Sequence, residues 1–269
     1  MKILESTEWL TDEIISAATL RFLKFNNYDE KSEGSPVILP PEVFTPMVET
    51  LIEDEAATRC RKTTKRVENA ILFESAYWLS TELWDHKNLF RRNSWFFAIV
   101  NYPDNSHWIF LGMHSGQKKY FVNDPLHDTG NVASMVRVVE AYIDLEAKRY
   151  CDEMNDSAPE SAPPFATLQN KAWTYLKSVS QQQNDKSNCG VLSLIAFFRS
   201  MRIAMADPSV SADFLAARWK CNTTVPGQSH YRATLKAMLE GNDEDSIVAC
   251  TYFSQRLPQY IVDGNLQYI

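Results

Sequence analysis

The order of strand-like and helix-like segments predicts an α+β fold. Three observations carry this. Helical periodicity opens the chain and returns after residue 189, so helices cluster at both ends. Two runs rich in aromatic and β-branched residues, Trp95–Asn101 and His107–Met113, lie side by side in the middle. A third such run, Lys119–Asp124, follows at once. Consecutive strands joined by short polar turns pair antiparallel, and helices segregated from them give an α+β architecture.

Residues 8–25 read as the first helix: Ile15, Ala18, Phe22 and Phe25 recur at helical spacing, Thr11 and Asp12 supply capping and first-turn chemistry, and Asn26-Asn27 ends the run. Residues 36–41 read as a short buried strand closed by prolines, and a helix follows over 42–54. The segment from Thr58 to Val67 is basic, and its ordinary reading is a solvated face. Tyr102-Pro103-Asp104-Asn105-Ser106 supplies turn chemistry between the first two central strands. Residues 131–149 are helical, with Val132, Met135, Val138, Val139, Tyr142 and Leu145 on one side. Residues 152–165 are rich in Pro, Ser and acid and read as a mobile surface loop. Trp173–Val179 reads as a strand and Cys189–Met201 as a strongly apolar helix. Residues 211–219 and 230–240 are further helices, and the tail from Ser246 is mixed.

Bulk properties narrow the function classes. With 45% hydrophobic and 23% charged residues, the 269-residue chain is an ordinary globular protein, read as a single domain over 1–269. A net charge of -7 speaks against nucleic acid as the partner. The five cysteines, Cys60, Cys151, Cys189, Cys221 and Cys250, are odd in number and form no CxxC pair. That pattern argues against a structural metal site and a disulfide framework, and for an intracellular, reducing compartment (cytoplasm or nucleus). No secretory signal and no membrane-spanning run is read from the sequence.

The chemistry-bearing residues converge on Cys189. It stands where a polar loop, Gln181 to Asn188, becomes an apolar helix. Free N–H groups and partial positive charge at a helix N-terminus favour thiolate, and Gly190 leaves space for a substrate backbone. The other four cysteines lack this placement and read as buried thiols. A lone His at a strand edge or a lone Asp before proline ordinarily carries no function. His107 opens one strand, however, and Asp124 closes the next, so antiparallel pairing makes them neighbours. A carboxylate beside an imidazole fixes its tautomer. Gln183 lies in the polar loop and offers an amide N–H to an oxyanion, although Gln181 and Gln182 are equally polar.

On these residues the chain resembles the ubiquitin-like-protein-specific cysteine proteases, the sentrin/SUMO protease group of clan CE. Three separated motifs carry the likeness: Trp9-Leu10-Thr11-Asp12-Glu13-Ile14-Ile15, His107-Trp108 with Asp124, and Gln183 followed by Asn188-Cys189-Gly190. The resemblance implies a papain-like or adenain-like core, with an antiparallel-rich sheet flanked by helices and the nucleophile at the start of a buried helix. It implies a triad of Cys189, His107 and Asp124, with Gln183 in the oxyanion hole. It further implies that Trp9 and Trp108, with Gly190, form a tunnel around a Gly-Gly tail. Flat aromatic walls admit only residues without side chains.

The implied activity is cleavage after the C-terminal Gly-Gly of ubiquitin, SUMO or a relative, in deconjugation or precursor processing. The implied partner is that modifier and its conjugates. No cofactor is required, and the expected state is a monomer. The chain departs from the family in having Asn188 where Asp is usual and Pro125 where Ser is frequent. It also has a longer, charged stretch over 54–94 and an extension over 205–269. These differences point to a divergent lineage such as a pathogen effector. The competing reading is an acetyltransferase of the same clan, using the same triad with acetyl-CoA and the basic Arg59–Arg66 cluster. A non-catalytic modifier binder is a third reading.

Overall fold

The computed structural model describes residues 10–29, 34–59, 88–91, 94–102, 107–126, 129–157, 160, 163–178, 187–217, 225–241, 248–249, 260–262 and 265–267. Within them the expected α+β architecture is present. The first helix, α1 (Asp12–Phe25), starts at Thr11, whose carbonyl accepts the Ile14 and Ile15 N–H groups, although its hydroxyl makes no capping bond. Asp12 and Glu13 in the first turn and Lys24 in the last complement the helix dipole. The helix ends in a Schellman arrangement: Asn27 takes φ +50, and the N–H groups of Asn27 and Tyr28 bond the carbonyls of Lys24 and Leu23.

A five-stranded sheet divides the molecule. Its strands are β1 (Val37–Leu39), β2 (Trp95–Tyr102), β3 (His107–His114), β4 (Lys119–Asn123) and β5 (Thr174–Lys177), in that spatial order. The β2–β3–β4 block is antiparallel, as the hairpin signals predict, with Tyr102 opposite His107 and Phe110 opposite Asn123. The two edges are parallel additions: β1 joins β2 and β5 joins β4. Every residue of β3 is buried, which is why the strand between its terminal histidines His107 and His114 is continuously apolar and not alternating. In the β3–β4 turn the positive φ belongs to Lys118, at +50. Gly112 instead makes room for an aromatic ring, since a Cβ there would stand 2.4 Å from the Phe121 ring, which lies over the strand.

Each face of the sheet carries its own helices. On one face lie α2 (Pro41–Arg59) and α3 (Thr129–Ser157), which bury Val43, Phe44, Met47, Val138, Val139 and Tyr142 against Ala98, Leu111 and Val122. On the other lie α1 and α4 (Cys189–Ala206), which bury Phe22, Ile195 and Phe198 against Phe97, Trp108 and Phe110. Phe22 and Phe198 stack with ring centroids 4.3 Å apart, locking α1 onto α4. The short α5 (Ala212–Ala216) and the longer α6 (Val225–Glu240) pack at the edge of this second face. A small hairpin, β6 (Tyr260–Val262) and β7 (Asn265–Gln267), lies near the end of the chain.

Helix α4 is long and apolar enough to cross a membrane, yet 78% of it is buried inside the protein, so it is the core helix of this face. Where a loop is expected from residue 152, α3 continues to Ser157. Glu153 explains the continuation: it takes an ion pair from Arg91 at 2.6 Å, and its carbonyl accepts the Ser157 hydroxyl. The prolines that suggest a loop begin only at Pro159. Most of the 54–94 stretch, with most of the basic cluster before Val67, lies outside the described residues.

Candidate active site

Cys189 is the first residue of α4 and is completely buried. The apolar sequence of the helix drives it into the core, so its first turn reaches the start of β3. There the backbone N–H groups of Trp108, Gly190 and Cys189 itself favour the thiolate. Burial nevertheless dominates and pushes the thiol up to about 12, and the Asp124 carboxylate adds to the rise. The sequence expectation that the helix N-terminus lowers this thiol is therefore met only in sign of contribution. The N–H groups pull down, and desolvation outweighs them.

His107 opens β3 and is also fully buried. Its Nε2 lies 2.6 Å from Asp124 Oδ1, a hydrogen-bonded pair with both side chains at 0% exposure. An ionised carboxylate can only accept, so Nε2 carries the proton and Nδ1 keeps its lone pair. Among the described residues Nδ1 has no hydrogen-bond partner, the Cys189 thiol included. Asp124 is itself aimed: Oδ1 also accepts the Leu126 N–H at 2.8 Å, across the rigid Pro125. The β3–β4 register thus does what the hairpin argument predicts and sets the start of one strand against the end of the next.

Trp108 follows His107, is 2% exposed, and donates its indole N–H to the Leu10 carbonyl at 3.0 Å. Its own carbonyl accepts the Ser193 hydroxyl at 3.1 Å, which fixes α4 against β3. Gly190 allows this closeness, since a Cβ there would lie 3.0 Å from Trp108 Cδ1 and 3.2 Å from Leu10. The room beside Gly190 is thus filled by the indole and Leu10. Asn101 ties β2 to α1 through a 3.3 Å hydrogen bond to Asp12.

Five of the seven site residues singled out in the sequence therefore meet in one place: Cys189, His107, Asp124, Trp108 and Gly190. Trp9 and Gln183 lie outside the described residues. Sequence reasoning missed Arg232 of α6. Its Nε donates to Asn188 Oδ1 and its Nη2 to the Ser187 carbonyl at 2.8 Å. No local signal marks it, because the contact spans 44 residues. Among the described residues no group of acidic, His or Cys side chains could hold a metal.

The family described as "Ulp1 protease family, C-terminal catalytic domain" matches residues 8–217. Among solved structures, a de-sumoylating protease shares 13% identity over 94% of this chain and 86% of its own, with a TM-score of 0.49. The Ulp1 protease domain in complex with Smt3, the yeast ortholog of SUMO, shares 13% identity over 91% and 81%, with a TM-score of 0.43. The Xanthomonas campestris effector XopD, bound to ubiquitin, shares 12% identity over 85% and 91%, with a TM-score of 0.44. No curated protein matches the chain.

Proposed function

The chain belongs to the Ulp1 protease family of cysteine-type peptidases, and from that premise we propose that it cleaves after the C-terminal Gly-Gly of a ubiquitin-like modifier, with Cys189 as nucleophile. The observation that carries this is the buried His107–Asp124 pair at 2.6 Å, with Nδ1 unengaged among the described residues, beside a cysteine that begins a core helix.

In this reading Asp124 holds the His107 tautomer and stabilises the imidazolium once it forms. Nδ1 accepts the proton of the Cys189 thiol as the substrate carbonyl arrives. The thiolate attacks the glycyl carbonyl carbon, and the oxyanion is met by the Cys189 N–H and the Gln183 amide. Collapse breaks the C–N bond, His107 gives its proton to the leaving amine, and a thioester remains. Water, deprotonated by His107, then releases the modifier's carboxylate and restores the thiol.

A thiol kept neutral by burial suits this scheme, because proton transfer to His107 replaces solvent in making the thiolate. Trp108 walls the approach in this reading, Trp9 is assigned to the same tunnel by its place in the family motif alone, and a tail of two glycines is the segment that fits it. For this to happen the Trp108 face now covered by Leu10 and Gly190 must be uncovered as the tail enters. The modifier class is read with a panel of electrophilic probes built on ubiquitin, SUMO and the neddylation modifier. A single adduct at Cys189, found by intact mass and peptide mapping, is the expected result. Folded protein that reacts with none of them would refute the proposal.

A further inference from the structure

The residue just before the nucleophile is an asparagine used in an unexpected way. Asn188 occupies the N-cap position of α4, where an amide oxygen normally accepts the N–H of the second or third helical residue. Here it makes no capping bond, and its backbone (φ -98, ψ 8) is far from the extended angles that capping requires. Its Oδ1 instead accepts the Arg232 Nε–H, while Arg232 Nη2 holds the preceding Ser187 carbonyl. Arg232 is 6% exposed and comes from α6, which lies beyond the family-matched residues 8–217.

The competing positions matter chemically. The second helical residue is Gly190, and its N–H is one of the groups that favour the Cys189 thiolate. An Asn188 side chain released to cap α4 would compete for that N–H or for the Val191 N–H beside it. A buried fork of donors on the other side of the loop removes the choice. Resting on the reading of Cys189 as nucleophile, we infer that Arg232 is a positioning residue: it holds Asn188 off the start of α4, leaving the first-turn N–H groups to the reacting sulfur and oxyanion. The extension after the family-matched region thereby becomes part of the catalytic unit.

The test is alkylation of Cys189 by iodoacetamide in the full chain, followed by peptide mapping across a pH range of about 5–10, alongside circular dichroism to verify folding. Arg232→Met removes the fork and releases Asn188. Alkylation is expected to slow about 10-fold at neutral pH, with the pH profile displaced upward. Adding Asn188→Ala to that variant removes the competing cap and is expected to restore the rate about 3-fold or more. A merely structural Arg232 predicts the opposite already in Arg232→Met, where a loosened loop exposes the buried thiol and speeds alkylation.

Should Arg232→Met not fold, Arg232→Lys keeps the charge but reaches only one of the two acceptors, and an intermediate rate is expected. A wild-type profile in either variant, or no recovery on adding Asn188→Ala, overturns the inference. Modifier cleavage that survives Cys189→Ala would instead sink the proposed nucleophile itself.

Discussion

Two regions of this molecule each bury a carboxylate and a cysteine, and only one of them is built to react. In the first, Glu146 and Cys151 sit on α3. Glu146 accepts the Leu89 N–H at 2.7 Å and lies 3.4 Å from Arg149. Cys151 donates to the Pro163 carbonyl, and burial raises its thiol. Both groups end in partners that staple loops to the helix. In the second, Asp124 and Cys189 flank His107. The carboxylate again takes a backbone N–H and a nitrogen, but the imidazole it orients keeps one buried nitrogen unengaged among the described residues. Burial of ionisable groups is therefore not what marks the site. The mark is a polar chain that stops one hydrogen bond short, beside a thiol that receives N–H groups where Cys151 instead donates to a carbonyl.

Exchange of the reacting groups should break the symmetry most strongly. Cys189→Ala and His107→Ala are each expected to lower kcat/KM on a modifier carrying a C-terminal fluorophore by about 10³-fold or more. Cys151→Ala should stay within about 2-fold of wild type in the same assay. Equal losses at the two cysteines would erase the distinction between the two regions.

The carboxylates give the next largest contrast. Asp124→Asn should lower kcat by about 10²–10⁴-fold at nearly unchanged stability, because the amide no longer fixes the proton on Nε2. Glu146→Gln should do the reverse: a stability loss of about 1–3 kcal/mol in denaturant, with kcat of the folded fraction intact.

Gly190→Ala tests the packing that joins the site to the core. The new Cβ presses on Trp108 and Leu10, so about 1–3 kcal/mol of stability should be lost. A Cβ accommodated without loss would mean that the indole moves freely.

The smallest effect is on the pH dependence of stability. The Cys189 thiol rises from an ordinary 9.0 to about 12 in the folded state. Between these values the folded chain holds more protons than the unfolded one, so this contribution is complete below the ordinary value of 9.0 and is lost as the pH climbs towards about 12. Cys189→Ser should flatten the decline of the denaturation midpoint over that alkaline range, whereas Cys151→Ser should alter it less.

What the sequence discloses follows from how local each signal is. His107 and Asp124 belong to adjacent strands joined by a short turn, so alternation and turn residues are enough to make them neighbours. The uniform apolarity of α4 likewise announces a buried helix. The parallel edges are not legible, because Val37 pairs with Phe96 across a long connection and β1 has only three residues. Composition misplaces the end of α3, because its Pro and Ser content outweighs the pairing of Glu153 with Arg91, a contact across 62 residues. Arg232 is invisible for the same reason: nothing near it in sequence tells a core-facing arginine from a solvated one.

The burial of α4 has a consequence for how the protein opens. Because the thiol begins the most enclosed helix of its face, any reagent reaches it only through a local opening of the packing around Leu10, Trp108 and Gly190. Labelling of Cys189 in the absence of substrate thus reports the free energy of that sub-global opening, in the way amide exchange reports the opening of a cooperative unit. Partners that clamp α1 onto α4 should slow labelling and amide exchange in the first turn of α4 together.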